Sequence, residues 1–459
     1  MKNIKFFGRD REIENIRKLS KDNFFLVVKG RRRVGKTRLL KEAFPDAVYI
    51  FIWPDKSIDW INEQICTENK IPLFKNFKDI LEYFLENKKT LIIDEFQNLL
   101  NIDKSVYGEI QKLIDDRKSS GKFFKIAVAG SSYSLMNKVF NDSASPLYGR
   151  RTDEITLYGI SAIDLFKNLG VSMEELIKLW SIFEGVPYYY ELIDLKSLPE
   201  KNIKKLILSR DSQLQEEGKI LLSVEFGKDS RTYNTVLTAI SEGKTKLNEI
   251  ASLFDNKKNE VVKYLDILRK DFRLAKKITP MTENPNKSKE GRYEIIDNFL
   301  SFWFYFIDKN RNYIEQDRFN EIEEFFDKNF DSFIGRKFEK FIAYLINEKI
   351  LLKNINLSSA GSQWGKDKKS GDVYEIDIVS FNKDNKEILF GECKWSERVN
   401  CEEIVKELAR KSAYVDWNNE NRKEVYAVFA KSFSKKINEF DKKKVYCFDL
   451  KDLDKLILE

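Results

Sequence analysis

The sequence predicts a multidomain α/β protein: an N-terminal parallel sheet with crossover helices, a helical segment, a small helix-and-hairpin module and a C-terminal α/β module. Three observations predict it. Short β-rich runs alternate with helical patterns over residues 1–160, the order that places helices on both faces of a parallel sheet. Residues 161–225 carry leucines and isoleucines at three-to-four spacing without a strand-like run. Residues 331–459 start with a helix near Ser332–Glu348 and then return to strands and helices. A chain of 459 residues suits about three domains at roughly 150 residues each.

The five N-terminal runs are Phe24–Val28, Ala47–Ile52, Thr90–Ile93, Phe124–Ala129 and Glu154–Leu157. The helical segment 161–225 follows. Within residues 226–300, Leu247, Ile250, Ala251 and Phe254 share one helix face. After Asp255-Asn-Lys-Lys, a second helix carries Val261, Leu265 and Leu268. Leu274–Ile278 and Arg292–Ile296 then form a β-pair around the polar loop Thr282–Gly291. Two helices followed by a hairpin read as a winged helix. An aromatic helix (Phe299, Phe302, Trp303, Phe306) opens a helical linker over residues 301–330.

Histidine is absent, which excludes Ser-His-Asp and Cys-His catalysis and every His-ligated metal. Lys and Arg exceed Asp and Glu by 81 − 74 = 7, a mild excess that permits a nucleic-acid partner without requiring one. Nine basic and four acidic residues lie between Lys263 and Arg292, so most of that excess sits in the winged-helix candidate. Such a surface suits DNA phosphates; the other reading packs the module on the N-terminal domain. The four cysteines contain no CxxC pair, so reduced thiols and a cytoplasmic setting are expected. The N-terminus turns charged before an apolar signal core develops, and the richest apolar stretch, Phe299–Ile307, is too short to span a bilayer.

Gly30-Arg31-Arg32-Arg33-Val34-Gly35-Lys36-Thr37 follows the first β-run and precedes a helical pattern containing Arg38, Leu39 and Leu40. In a strand–loop–helix setting, G-x4-G-K-T converges backbone N–H groups on phosphate. Lys36 would meet the β/γ-phosphates and Thr37 the Mg²⁺ of ATP. Thr90-Leu-Ile-Ile-Asp94-Glu95-Phe-Gln97 ends a β-run in two acids. Asp94 suits Mg²⁺, and Glu95 suits the proton of an attacking water. Ser131, after the fourth run, can touch the γ-phosphate or the water; a serine there also suits a cap on the next helix. Arg150, beside Arg151, is either an arginine finger, in cis or in trans, or a salt-bridged surface arginine.

These motifs, with Phe7-Gly-Arg-Asp-Arg-Glu12, Leu147-Tyr-Gly-Arg-Arg-Thr152 and Glu184-Gly-Val-Pro-Tyr-Tyr189, resemble the archaeal-type ATPases, relatives of AAA+ and STAND NTPases. The resemblance implies a P-loop NTPase sheet with a helical lid, and it places Gly8 and Arg9 near the adenine. It leaves both a ring oligomer and a closed monomer open.

In the last module, Asp377 and Glu392-Cys-Lys394 follow a D…E-x-K layout on two strand-like runs joined at Asn382–Lys386. Glu392 and Lys394 share a face by period-two alternation, with Cys393 turned away. Two carboxylates on a divalent ion with a lysine nearby suit phosphodiester hydrolysis; a sheet-edge Lys394–Asp377 salt bridge is the other reading. Glu339, on the preceding helix, is a further ligand candidate. The region resembles the PD-(D/E)XK nuclease-like, restriction-endonuclease-like domain that archaeal-type ATPases carry at the C-terminus, although no proline precedes Asp377. The expected function is Mg²⁺-dependent ATP binding and hydrolysis coupled to DNA binding or cleavage. The alternative is a nucleotide-gated switch whose nuclease-like domain does not cut.

Overall fold

Phe24–Lys29 (β1) is buried at every position, as a central parallel strand covered on both faces requires. With Val48–Phe51 (β2), Leu91–Asp94 (β3), Lys125–Gly130 (β4) and Asp153–Thr156 (β5) it forms an all-parallel sheet of order β2–β3–β4–β1–β5. Each strand lies within one or two residues of its run in the sequence. The computed structural model describes residues 6–226, 230–367 and 370–458. Residues 1–5 of the charged N-terminal stretch and 227–229 of the winged-helix candidate lie outside them.

The strand order places the carboxyl ends of β1, β3 and β4 side by side. Lys29 is opposite Gly130 and Ile93 opposite Val128, so Gly30–Thr37, Asp94–Glu95 and Ser131 open on one crevice. The helix Lys36–Ala43 starts there, behind Gly35 at φ 95°. That is the left-handed region, which glycine enters without a Cβ penalty. Helices Ala162–Leu169, Met173–Phe183, Pro187–Leu192 and Glu217–Phe226 follow. Ser172 starts the second with a reciprocal capping box to Glu175.

Three helices precede the hairpin, where the sequence suggests two. Ser230–Ser241 stands ahead of Leu247–Ala251 and Lys258–Lys270. Its Ser and Thr content masks a core stripe of Val236, Leu237 and Ile240. Ala275–Ile278 (β6) and Arg292–Ile295 (β7) then pair antiparallel.

The aromatic helix Asn298–Phe306 is almost wholly buried. It packs on Met173–Phe183 and on a 29-residue helix, Phe319–Asn347. At 1.5 Å per residue the latter spans roughly 43 Å and crosses position 331, where the sequence reading begins the last module. Ile322, Phe326 and Phe330 continue the buried stripe of Phe333 and Phe338 toward the N-terminus.

Gly361–Lys366 (β8), Val373–Asn382 (β9) and Glu387–Lys394 (β10) run antiparallel. Beyond the short Val399–Asn400 (β11) come Lys423–Ala430 (β12), Phe433–Lys435 (β13), Glu439–Phe440 (β14) and Lys443–Phe448 (β15). The mixed sheet has order β14–β15–β12–β10–β9–β8, while β11 pairs with β13. The long helix packs on one face, and Cys401–Ser412, the crossover from β10 to β12, on the other. Cys401 and Cys447 lie side by side, and Cys66 and Cys393 are free and buried. The first two are 46 residues apart, a separation with no local signature. Among the described residues no helix is long and apolar enough to cross a membrane.

Candidate nucleotide site and carboxylate cluster

Backbone proximity shapes the loop first. A Cβ on Gly30 would lie 2.5 Å from the Leu157 carbonyl oxygen, with the buried Val34 3.1 Å away. Lys36 is buried, and its ammonium donates to the Gly30 and Arg31 carbonyls at 2.9 and 3.0 Å. Burial holds it below the ordinary lysine range, against the pull of Glu95 and Asp94.

Thr37 donates to Asp94 Oδ2 at 2.5 Å, and Tyr49 donates to the same oxygen at 3.0 Å. The Glu95 amide holds Asp94 Oδ1 at 3.0 Å. A hydroxyl and a buried carboxylate in contact beside a buried lysine form a hard-oxygen donor pair that fits Mg²⁺. Glu95 stands at φ 52°, and its Oε2 accepts from Ser131 at 2.7 Å and Gln97 at 2.5 Å. The two readings of the serine turn fall on neighbouring residues. Ser131 meets Glu95, and Ser132 caps the helix Tyr133–Phe140.

Gly8, at φ 66°, sits where a Cβ would come within 2.9 Å of Ile160. Arg9 is buried and donates to Glu12, the Val34 carbonyl and the Tyr158 carbonyl, so it fastens the loop to the segment that follows β5. Phe6, Phe7, Arg9, Pro187 and Tyr188 enclose, with the loop, a cavity of about 280 Å³. Arg38 borders it, 3.6 Å from Glu191 and over the Phe6 ring.

The loop arginines meet acids from distant segments. Arg31 pairs with Asp297 at 2.6 Å and lies 3.9 Å from Glu184, and it donates to Tyr189. Burial is the largest single influence and pulls the Arg31 pKa down, but Asp297, Tyr189, Glu184 and Glu217 together outweigh it and raise it. Burial, then Asp297, pushes Glu184 up to about 7. Arg33 pairs with Glu217 at 2.7 Å and lies over the Tyr188 ring. Arg32 is exposed and borders this cavity and two larger ones of about 550 and 1090 Å³. The 550 Å³ cavity separates the loop from the helix-and-hairpin module, whose Arg273 lies over Tyr133. Several basic residues of that module are internally paired: Arg269 and Lys270 with Asp266, and Lys276 with Glu294.

Arg150 is not brought to the loop. It pairs with Asp115 at 3.1 Å, donates to the Tyr148 carbonyl and lines none of the three cavities. A carboxylate on a neighbouring helix holds it away from the loop in this conformation.

At the other site, Gly391 is opposite Ile378, which sets Asp377 beside Glu392. Asp377 Oδ2 accepts from the Cys393 amide at 2.9 Å. Glu392 is buried and takes Lys394 at 2.9 Å and Lys411 at 3.3 Å. Lys394 therefore pairs with Glu392 and not with Asp377. Burial, then Glu392, pushes Asp377 up to about 7; burial, then Asp377, pushes Glu339 up to about 8. The carboxylates are thus electrostatic neighbours, and by donor type they suit a hard cation. Yet among the described residues no group of three or more His, Cys, Asp or Glu is gathered to hold a metal. In this conformation Glu339, Asp377 and Glu392 are electrostatic neighbours and not one gathered donor set, with Glu392 drawn to two lysines.

Sequence reasoning missed Lys411, Tyr49, Glu217 and Asp297, which approach only through tertiary structure. Gln97 lies inside the motif around Asp94, but nothing in spacing assigns it to Glu95.

Residues 22–165 match the family described as AAA domain, and residues 303–405 match one described as archaea bacterial proteins of unknown function. A Walker-type ATPase of Pyrococcus abyssi aligns structurally at TM-score 0.49 and 16% identity, over 65% of this chain and 96% of that one. The Cdc6p structure from Pyrobaculum aerophilum aligns at TM-score 0.33 and 12% identity, over 68% and 96%. The uncharacterized protein MJECL04 of Methanocaldococcus jannaschii is 30% identical over 448 residues, 94% of this chain and 97% of the relative. The chain carries an AAA-type P-loop domain and belongs, along nearly its whole length, to the family of that Methanocaldococcus protein.

Proposed function

We propose that the chain binds ATP with Mg²⁺ and hydrolyses it at Gly30–Thr37. The observation that carries this reading is the Thr37–Asp94 bond of 2.5 Å beside the buried Lys36. Lys36 would exchange its loop carbonyls for the β/γ-phosphates, and the Phe7-Gly8-Arg9 segment with Pro187 and Tyr188 would flank the base. Bound at Thr37 and Asp94, Mg²⁺ would neutralise phosphate charge. Glu95 would take the proton of the attacking water, with Ser131 orienting its carboxylate. Lys36→Ala should abolish ATP binding in calorimetry; unchanged binding and turnover would sink the assignment.

Residues 161–225 serve as a lid, 226–300 as a winged helix, 301–330 as a linker and 331–459 as a nuclease-like domain. DNA is the partner that a basic helix-and-hairpin module and a D…E-x-K pair best suit. In this reading Lys394 faces the scissile phosphate and Asp377 and Glu392 supply acceptor oxygens. A second reading, a nucleotide-gated switch with a non-cutting C-terminal domain, is favoured by the pairing of Glu392 with Lys394 and Lys411. A cleavage assay with Mg²⁺ or Mn²⁺, with and without ATP, separates the two. Cutting lost in Lys394→Ala with ATPase retained supports the nuclease; no cutting of DNA or RNA by the wild type supports the switch.

A further inference from the structure

Arg31 belongs to the nucleotide loop, but its ion-pair partners do not. Asp297 and Glu184 both also fasten the first turn of the helix Asn298–Phe306. Asp297 Oδ1 accepts from the Leu300 amide at 2.8 Å, and Glu184 Oε1 accepts from the Asn298 amide at 3.1 Å. Asn298 is buried, and its side-chain oxygen accepts from Lys337 Nζ at 2.8 Å. Lys337, also buried, lies at the middle of the long helix.

Two residues further along that helix is Glu339, the carboxylate within electrostatic reach of Asp377 and Glu392. At about 100° per residue, positions 337 and 339 point roughly 200° apart around the axis. One helical turn thus faces the nucleotide side with Lys337 and the carboxylate cluster with Glu339. Phe338, between them, packs on Trp395 at 5.2 Å between ring centres, next to Lys394. Lys340 adds an ion pair of 2.8 Å to Glu294 on β7.

We propose that the buried chain Arg31–Asp297/Glu184–Asn298–Lys337 couples occupancy of the nucleotide loop to the geometry of the Glu339–Asp377–Glu392 cluster. A triphosphate brings negative charge to the loop and competes with Asp297 and Glu184 for the Arg31 guanidinium. Release of those acids frees the first turn of Asn298–Phe306 and shifts the acceptor of Lys337. A buried lysine head group left without its hydrogen-bond acceptor is unfavourable, so the long helix moves with Asn298, and Glu339 moves with the helix. Coupling is reciprocal, so a cation drawn to the cluster alters nucleotide affinity by the same factor. The inference rests on reading Gly30–Thr37 as a nucleotide loop, and it assigns regulation to the C-terminal cluster whether or not that cluster cuts.

The test is hydrogen–deuterium exchange of the full chain with and without a non-hydrolysable ATP analogue and Mg²⁺, alongside calorimetric binding of the same analogue. In the wild type, exchange in 334–346 and 373–394 is expected to change about fivefold or more on binding. Asn298→Ala and the near-isosteric Lys337→Met should bind the analogue within about twofold of wild type and lose that response. Wild-type chain that binds the analogue without a response in either segment overturns the coupling, as does a full response in both variants. Absence of binding in the wild type instead overturns the nucleotide reading, and the coupling with it.

Discussion

Gln97 holds Glu95 through a hydrogen bond of 2.5 Å, on the same carboxylate oxygen that accepts from Ser131. Gln97 is buried, and a Cβ on neighbouring Gly130 would lie 2.6 Å from its side-chain oxygen. Glu95 is therefore gripped from the floor of the crevice, and a carboxylate so gripped is slower to turn toward a water.

Glu95→Gln removes the proposed base and should lower turnover by about 10²–10⁴-fold, with nucleotide affinity little changed. Gln97→Ala loosens one of two holds and should raise basal turnover a few-fold. Steady-state phosphate release checks both; a Gln97→Ala enzyme slowed as much as Glu95→Gln would make Gln97 part of the hydrolytic machinery.

Arg150→Ala should leave turnover of the dilute protein within about twofold and cost about 0–1 kcal/mol, because a partly exposed pair with Asp115 contributes little. The check is ATPase activity against protein concentration. A loss that appears only at high concentration would assign Arg150 to a neighbouring copy.

Gly30→Ala forces a methyl against the Leu157 carbonyl. The strain should destabilise the chain by about 1–3 kcal/mol and weaken nucleotide binding at the same time, read by thermal melts and calorimetry. A variant with unchanged Tm would mean that the loop relaxes away from β5.

Glu184 gives a pH signature. Its carboxyl is raised from 4.5 to about 7, by burial first and Asp297 second, so the folded chain keeps a proton that the unfolded chain releases. Stability from this group is complete below its unfolded pKa and is lost as pH rises through its folded value. Between about pH 5 and pH 8 the wild-type Tm should fall more than that of Glu184→Gln. Parallel curves would show that Glu184 is already ionised at the low end.

Legibility in the sequence followed the range of each interaction. Contiguous apolar runs such as Phe24–Val28 mark parallel strands, since a strand covered on both faces needs no polar alternation. Gly30–Thr37 is legible because its geometry is local. The hairpin of β9 and β10 is legible through alternation about a polar turn. The start of the long helix was missed because charged residues interrupt the stripe of Ile322, Phe326 and Phe330. Arg31 with Asp297, and Lys411 with Glu392, meet only after the modules pack, and nothing in spacing announces such pairs. The approach of Cys401 to Cys447 has the same origin.

The helix Phe319–Asn347 has a practical consequence for dissecting the chain. A cut at 331 would sever it near the middle and strip the N-terminal half of Phe333, which packs on Phe302 and Phe306, and of Phe341 and Tyr344, which cover Trp180. Separately expressed halves should therefore aggregate, whereas the two halves co-expressed should re-associate. The two ends of the protein are less like beads on a thread than like two vanes on one shaft.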